Sequence, residues 1–252
     1  MAIPSGFASY IDLQDPLCYP GSGLLIEDLA SPSTVWNISS SGAVYSGTVG
    51  SLDLTTQSIE ANTQLVPTGT GPITIAGWIK INAFSYGTSF NALAAVGSDS
   101  GGNNLRQIAL YGGTPNTVGI ACATNTSGAA VYSATEQPIN TWCLVAIKKD
   151  TGTNTAQIIT YLNGAVDSAG SYGGAVTTDI QYSGTNSYGA INSTKFGDSQ
   201  FQISISQQWI YNSYLSDADI LDLYNATEGR YFGPPPSTSN VGGRQFGQGF
   251  NG

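Results

Sequence analysis

Hydrophobic and polar positions alternate with period two along much of the middle of the chain, the spacing that puts successive side chains on opposite faces of a strand. Ile73 to Ile81 reads I-T-I-A-G-W-I-K-I: Ile73, Ile75, Gly77, Ile79 and Ile81 share one face, and Thr74, Ala76, Trp78 and Lys80 the other. Both faces carry apolar groups, so this run is expected to be an interior strand. Shorter runs follow over Asn91 to Gly97, Leu105 to Tyr111, Val118 to Ala123 and Ala129 to Ser133, bounded by Gly, Pro or Asn. Trp142 to Lys149 reads W-C-L-V-A-I-K-K, and its Lys pair is read as the point where the strand leaves the core. Ala156 to Leu162 runs into Asn163-Gly164, a pair in which both residues tolerate positive φ, and therefore into a tight hairpin returning through Ala165-Val166. In Phe201 to Tyr211, Phe201, Ile203 and Ile205 alternate with Gln202, Ser204 and Ser206, which predicts a last strand with one face buried and one polar.

The helical period occurs once. Ser216 stands in a capping position with Asp219 three residues on, and Leu215, Ile220, Leu223 and Tyr224 form an apolar stripe, so the pattern predicts a helix from Asp217 to about Ala226. After Tyr231 the pattern stops. Gly233 and the run Pro234, Pro235, Pro236 open a Ser/Thr/Asn/Gly/Gln segment that cannot build a core of its own, and it is expected to be an extended arm. Within it Arg244, Phe246 and Phe250 are spaced by Gly and Gln, a pattern suited to laying a backbone on a partner surface with the two Phe as anchors. The divisions expected are an N-terminal extension over 1–9, one domain over 10–232 and the arm over 233–252.

Composition narrows the chemistry. The 252 residues fit one large all-β domain. Gly at 32 and Pro at 11 suit many short strands joined by turns, and no apolar run is long enough to cross a membrane. There is no His, which excludes a Ser-His-Asp or Cys-His pair and any imidazole metal ligand. Seven Lys+Arg against 16 Asp+Glu give a net charge of -9, which argues against nucleic acid as a partner. Cys18, Cys122 and Cys143 are odd in number and far apart, and are expected to be buried thiols. The first residues carry neither a basic nor an apolar signal region, so synthesis in a host cytoplasm is expected.

The order of motifs resembles a known family. Gly71 to Ile81 (G-P-I-T-I-A-G-W-I-K-I), Asn140 to Lys149 (N-T-W-C-L-V-A-I-K-K), Ile159 to Gly164 (I-T-Y-L-N-G) and Gln208 to Tyr224 (Q-W-I-Y-N-S-Y-L-S-D-A-D-I-L-D-L-Y) together are similar to laminin-G-like, concanavalin A-like jelly rolls. Cys18 to Ala30 (C-Y-P-G-S-G-L-L-I-E-D-L-A) resembles the lead-in before such domains in bacteriophage structural proteins. The resemblance implies an all-β, two-sheet antiparallel jelly-roll sandwich with one short C-terminal helix, its first strands supplied by the lead-in. An acidic residue common near the family's last strand is replaced here by Ile203-Ser204-Ile205-Ser206.

Glycosidases on this fold carry two carboxylates on one strand in an E-x-D-x-x-E spacing. Glu27, Glu60, Glu136 and Glu228 do not share a strand, so no enzyme and no catalytic residue is expected. No cofactor is expected. Calcium is the family's usual metal, and Asp99 and Asp198 are loop acids of the right kind, although isolated Asp in Gly/Ser loops commonly forms Asx turns instead. For glycan, the Tyr-rich stretch Ser168 to Ser193 offers Tyr172, Tyr182 and Tyr188 as ring faces. The expectation is a non-enzymatic virion protein, a capsid decoration (cement) or minor head protein. It would dock on neighbouring capsid subunits through the arm as a homo-oligomer. The alternative is a tail-fibre or receptor-binding module attaching to cell-surface carbohydrate.

Overall fold

The computed structural model describes residues 2–63, 65, 71–83, 90–98, 106–114, 117–124, 129–135, 137–150, 158–172, 187–192 and 202–233; over 90–98, 106–114, 117–124, 129–132, 168–172 and at 187, 188 and 190 the backbone alone is described. Six short strands come first: β1 (Phe7–Asp12), β2 (Leu25–Glu27), β3 (Val35–Ile38), β4 (Val44–Ser46), β5 (Ser51–Leu54) and β6 (Ile59–Ala61). The period-two runs then form β7 (Ile73–Ala83), β8 (Phe90–Ser98), β9 (Arg106–Thr114), β10 (Thr117–Thr124), β11 (Ala129–Ser133) and β12 (Trp142–Lys149). After these come β13 (Ile158–Leu162), β14 (Ala165–Val166), β15 (Ser168–Tyr172), β16 (Ser187–Ile191) and β17 (Gln202–Tyr211). Two helical segments, α1 (Asp217–Thr227) and α2 (Gly229–Phe232), end the described chain.

The strands form two antiparallel sheets. Sheet A runs β14-β13-β12-β7-β17-β5-β4, with β1 also paired to β17, and sheet B runs β15-β11-β10-β9-β8-β16-β6-β3-β2. Between them lies one apolar core: Ile73, Ile75, Ile79 and Ile81 of β7 and Cys143, Val145 and Ile147 of β12 meet Ile26, Trp36, Ile38, Ile59 and Ile191 from sheet B. The opposite face of sheet A carries a second cluster, in which Ala76, Trp78, Leu144, Ala146, Tyr161 and Trp209 pack under Leu215, Ile220 and Leu223. The central strands of sheet A are therefore dry on both faces, as the two-sided apolar pattern of β7 requires.

The turn signals hold. Tyr161 pairs with Val166 and Leu162 with Ala165, leaving Asn163 (φ 50) and Gly164 (φ 81) as a two-residue turn. Helix α1 starts with a reciprocal capping box: Asp219 N–H donates to Ser216 Oγ at 3.1 Å, and Ser216 N–H donates to Asp219 Oδ2 at 2.9 Å. Cys18 and Cys143 are buried and free, with burial pushing their thiols up to about 12 and about 11.

Three expectations are corrected. Strand β17 has no polar, solvated face: from Ile203 to Tyr211 every residue is buried, because the helices and β1 cover the outside of sheet A. The serines expected on that polar face are satisfied internally, Ser204 Oγ donating to Asp53 Oδ1 (2.5 Å) and Ser206 Oγ to Gly50 O (2.8 Å). Lys148 and Lys149 do not mark an exit from the core, since both are nearly fully buried at 1% and 2% exposure. The first nine residues are not a separate extension either: Phe7–Asp12 is β1, and Ile3 and Phe7 pack on the second cluster.

Among the described residues the buried amides of Gln137 and Gln208 and the Trp209 indole nitrogen have no hydrogen-bond partner. Gln208, on the inner face of β17, lies between Gly77 of β7 and Ile11 of β1, and neither atom of its amide makes a hydrogen bond with a described residue. An orphaned buried amide costs on the order of 1–3 kcal/mol. We expect Gln208→Leu to stabilise the chain by about 1–2 kcal/mol, read as a higher urea midpoint at unchanged slope. A lowered midpoint would contradict this.

Candidate functional site

The helices sit on sheet A because the sequence provides a pin at each end of the connection. Thr74 Oγ1 donates to Ser213 O (2.8 Å) and accepts from Leu215 N–H (3.1 Å), fixing the turn out of β17. Lys148 Nζ then donates to Leu215 O (3.1 Å) and to Asp217 Oδ1 (2.5 Å), and lies 4.2 Å from the Tyr214 ring centre. Tyr161 Oη donates to the same Asp217 oxygen at 2.7 Å. The Lys148 and Tyr161 contacts hold the Asp217 carboxyl below the usual carboxylate range. A lysine on the outer face of an interior strand is thus buried because a helix N-terminus brings it a carboxylate.

At the other end a polar hub fastens α2. Arg230 grips Asp12 with both terminal nitrogens, Nη1 to Oδ1 at 2.7 Å and Nη2 to Oδ2 at 2.8 Å. Tyr10 Oη (3.0 Å) and Gln207 Nε2 (2.9 Å) also donate to Asp12 Oδ2. Tyr231 Oη reaches Gln207 Oε1 at 3.0 Å, while its ring stacks on Trp78 with centres 4.0 Å apart. Burial works to raise the Asp12 carboxyl, but the Arg230 guanidinium, the Gln14 N–H and the Tyr10 hydroxyl together outweigh it and keep the group below its ordinary range. Burial pushes the phenols of Tyr10 and Tyr231 up, so both stay protonated donors. Trp78 Nε1 donates to Thr227 Oγ1 at 2.8 Å. The N-terminus is drawn to the same face, where Tyr211 Oη donates to Pro4 O at 3.1 Å and Tyr10 stacks on Trp209.

This use of aromatics decides what remains for recognition. Trp36, Trp78 and Trp209 are fully buried, and Trp142 packs beside Tyr231, so ring faces for a ligand have to come from Tyr or Phe. Tyr172 is in β15 and Tyr188 in β16, five strand positions apart in sheet B. At about 4.8 Å per strand they are separated by about 24 Å, so a single sugar residue does not span them. Tyr182, Asp99, Asp198 and the arm residues Pro234, Pro235, Pro236, Arg244, Phe246 and Phe250 lie outside the described residues. Among the described residues no group of three or more His, Cys, Asp or Glu could hold a metal ion, and no helix is long and apolar enough to cross a membrane.

Sequence reasoning did not single out the outward face of the helices. Leu221 (46% exposed) and Phe232 (51%) are large apolar groups in water, as is Val166 (55%) on β14, the strand that α1 contacts. Around them α1 carries Asp217, Asp219 and Asp222 and no cation. The available signal was Leu221, which stands off the apolar stripe that buries Ile220 and Leu223.

A two-sheet antiparallel sandwich with a covering terminal helix is the architecture of a lectin-type jelly roll. The chain belongs to the concanavalin A-like lectin/glucanases superfamily, whose family model matches residues 53–221. No curated protein matches it in sequence. In structure it is similar to Trypanosoma rangeli sialidase in complex with a difluorinated KDN (TM-score 0.65, 12% identity), the superposition covering 92% of this chain and 34% of the sialidase. It is also similar to domain 4 of a GH43 extracellular arabinanase from Geobacillus stearothermophilus in complex with arabinotriose (TM-score 0.60, 15% identity, 87% of this chain and 98% of that domain). A third likeness is to the botulinum neurotoxin type G receptor binding domain (TM-score 0.57, 13% identity, 88% of this chain and 51% of that one). The chain thus spans about a third of the sialidase and half of the neurotoxin domain. At these identities the likeness is one of fold, and function rests on sites placed upon it.

Proposed function

We propose that the chain is a non-enzymatic viral structural protein, a capsid decoration or minor head protein that docks on neighbouring subunits through residues 234–252. The observation that carries this reading is the convergence of the N-terminal residues and the last described helix on one face of sheet A. Pro4 is bound to Tyr211, and α2 is locked by the Asp12–Arg230 pair, so the chain leaves Phe232 from a rigid platform on the outside of sheet A. A segment tethered to such a platform reaches a neighbour without disturbing the sandwich. Most aromatic residues of this face, Trp78, Trp209, Tyr161, Tyr211 and Tyr231, are taken up in holding the helices and the N-terminal residues down.

The second reading is a receptor-binding module for cell-surface carbohydrate. It is favoured by the shared fold of the arabinanase domain, in complex with arabinotriose, and the neurotoxin receptor binding domain. Co-sedimentation with particles of the virus that encodes the chain separates the two. The full chain is expected to pellet with the particles, and a variant ending at Phe232 to stay in the supernatant with an unchanged circular dichroism spectrum. If the shortened variant still pellets, or if the full chain leaves particles alone and is retained on a glycan array, docking through the arm is wrong.

A further inference from the structure

Residues 217–232 lie on sheet A as a strap fastened at both ends by an ion pair. At its start Lys148 Nζ of β12 donates to Asp217 Oδ1, and at its end Arg230 grips Asp12 of β1. The turn before it, Ser213 to Leu215, is held by the Thr74 hydroxyl, which does not titrate and leaves a fixed hinge. Beneath, strand register sets Tyr161, Ala146, Ala76, Trp209 and Tyr10 opposite one another in one row across β13, β12, β7, β17 and β1. Ile220 and Leu223 of α1 are buried in the cluster on this face, and Trp78 is stacked on Tyr231 of α2. Among the described residues no member of the strap belongs to the core between the two sheets. The closed face also leaves a donor unmet: Trp209 Nε1 is buried without a hydrogen-bond partner among the described residues, and water satisfies it once the cover lifts.

Each fastening sets a carboxylate against a cation that is costly to bury alone. Lys148 is 1% exposed, and apart from Asp217 it meets the Leu215 carbonyl and the rings of Tyr161 and Tyr214. A proton on Asp217 leaves that ammonium without a counter-charge, and it regains water when the first turn of α1 moves off. A proton on Asp12 does the same to the Arg230 guanidinium. Asp219 is a third carboxylate on the strap, and its Ser216 donors hold it below the usual carboxylate range. Among the described residues the other titratable groups facing these carboxylates and their cations are Tyr161, Tyr211 and Tyr214 at one end and Tyr10, Tyr231 and Cys18 at the other. They are phenols and a thiol, uncharged in acid. Asp12, Asp217 and Asp219 titrate lower folded than unfolded, so the stability they add is complete above about pH 4 and is lost as pH falls through their folded values.

We propose that residues 217–232 are an acid-released strap: once Asp12 and Asp217 are protonated, both helices swing off sheet A together about the Ser213–Leu215 hinge. The aromatic face of the sheet is then bared while the two-sheet core stays folded. Opening also displaces Phe232, and with it the point from which residues 233–252 leave the domain.

Hydrogen exchange of the full chain, read by mass spectrometry and corrected for the intrinsic rate at each pH, tests this. Below about pH 4 the protection of residues 217–232 is expected to fall at least tenfold while β7 and β12 keep theirs. Asp12→Asn with Asp217→Asn, uncharged at both fastenings, is expected to expose the strap at pH 7. Lys148→Met, which has no cation to strand, is expected to keep its strap closed to a lower pH than wild type. Protection lost from strap and sheets at the same pH, or a strap that stays protected until the sheets open, overturns the proposal, and the wild-type titration decides this whether or not the variants fold. A folded double variant as protected as wild type, or a Lys148→Met strap released at the wild-type pH, overturns it as well.

Discussion

Asp28→Ala is expected to cost about 4 kcal/mol and lower the melting temperature by roughly 10 °C. The carboxylate is 2% exposed, and no ion pair to it is found among the described residues. Five donors hold it instead. Oδ1 accepts from the backbone N–H groups of Tyr10 (3.1 Å), Ala30 (2.9 Å) and Ser31 (3.0 Å). Oδ2 accepts from the indole of Trp36 (3.1 Å) and the hydroxyl of Ser9. Hydrogen bonds to a charged acceptor are the stronger kind, and removing the acceptor leaves several of these donors buried with nothing to bond. The loss also reaches both sheets, because Ser9 and Tyr10 belong to β1 of sheet A and Trp36 to β3 of sheet B. Asp28→Asn keeps the shape but turns an amide N–H₂ toward donors, so it is expected to fall between wild type and alanine. Thermal unfolding of the three proteins checks this; an alanine variant within about 1 kcal/mol of wild type would mean that water replaces the carboxylate at no cost.

Asp28 also shows where the sequence stops being readable. It stands in the stretch Cys18 to Ala30, upstream of the residues that match the family model. Its partners are 18 and 19 residues upstream in β1 and eight downstream in Trp36, and three of the five donors are backbone groups that no side-chain pattern reveals. The strands around it have three to six residues, too short for a period of two to stand out. By contrast β7 and β12 were legible because eight or more residues alternate, and the β13–β14 turn because Asn-Gly tolerates the positive φ it needs. Helix α1 was legible from its capping box, a purely local signal.

Long-range pairing explains the misreadings. Lys148 looked like a strand end because its carboxylate is 69 residues away, at the start of a helix. The polar alternation of Ser204 and Ser206 suggested a solvated face, yet their partners Asp53 and Gly50 come from the first quarter of the chain. In each case the sequence carried the correct residue type, and topology decided what it faced.

The clamp between β1 and α2 gives the second large effect. Arg230→Met is expected to cost about 3 kcal/mol, since it leaves Asp12 buried without its cation while Tyr10, Gln207 and the Gln14 N–H continue to donate to it. Asp12→Ala should cost at least as much, because it strands the guanidinium and these donors together. The double variant is expected to fall short of the summed losses by about 2 kcal/mol, the mark of two groups acting as one. Strict additivity in urea unfolding would show that each side chain acts alone. The same pair fixes a pH dependence. Asp12 has a lower pKa in the folded chain than when unfolded, so its contribution is complete above the unfolded value of about 4 and disappears as pH falls through the folded one. Wild-type stability is therefore expected to decline below about pH 4, and less steeply in the Asp12→Ala variant, which has no such proton to take up. Because the clamp holds the last helix against the sheet, acid should release Tyr231 from Trp78 before the sandwich itself opens, and tryptophan fluorescence should change ahead of far-ultraviolet circular dichroism.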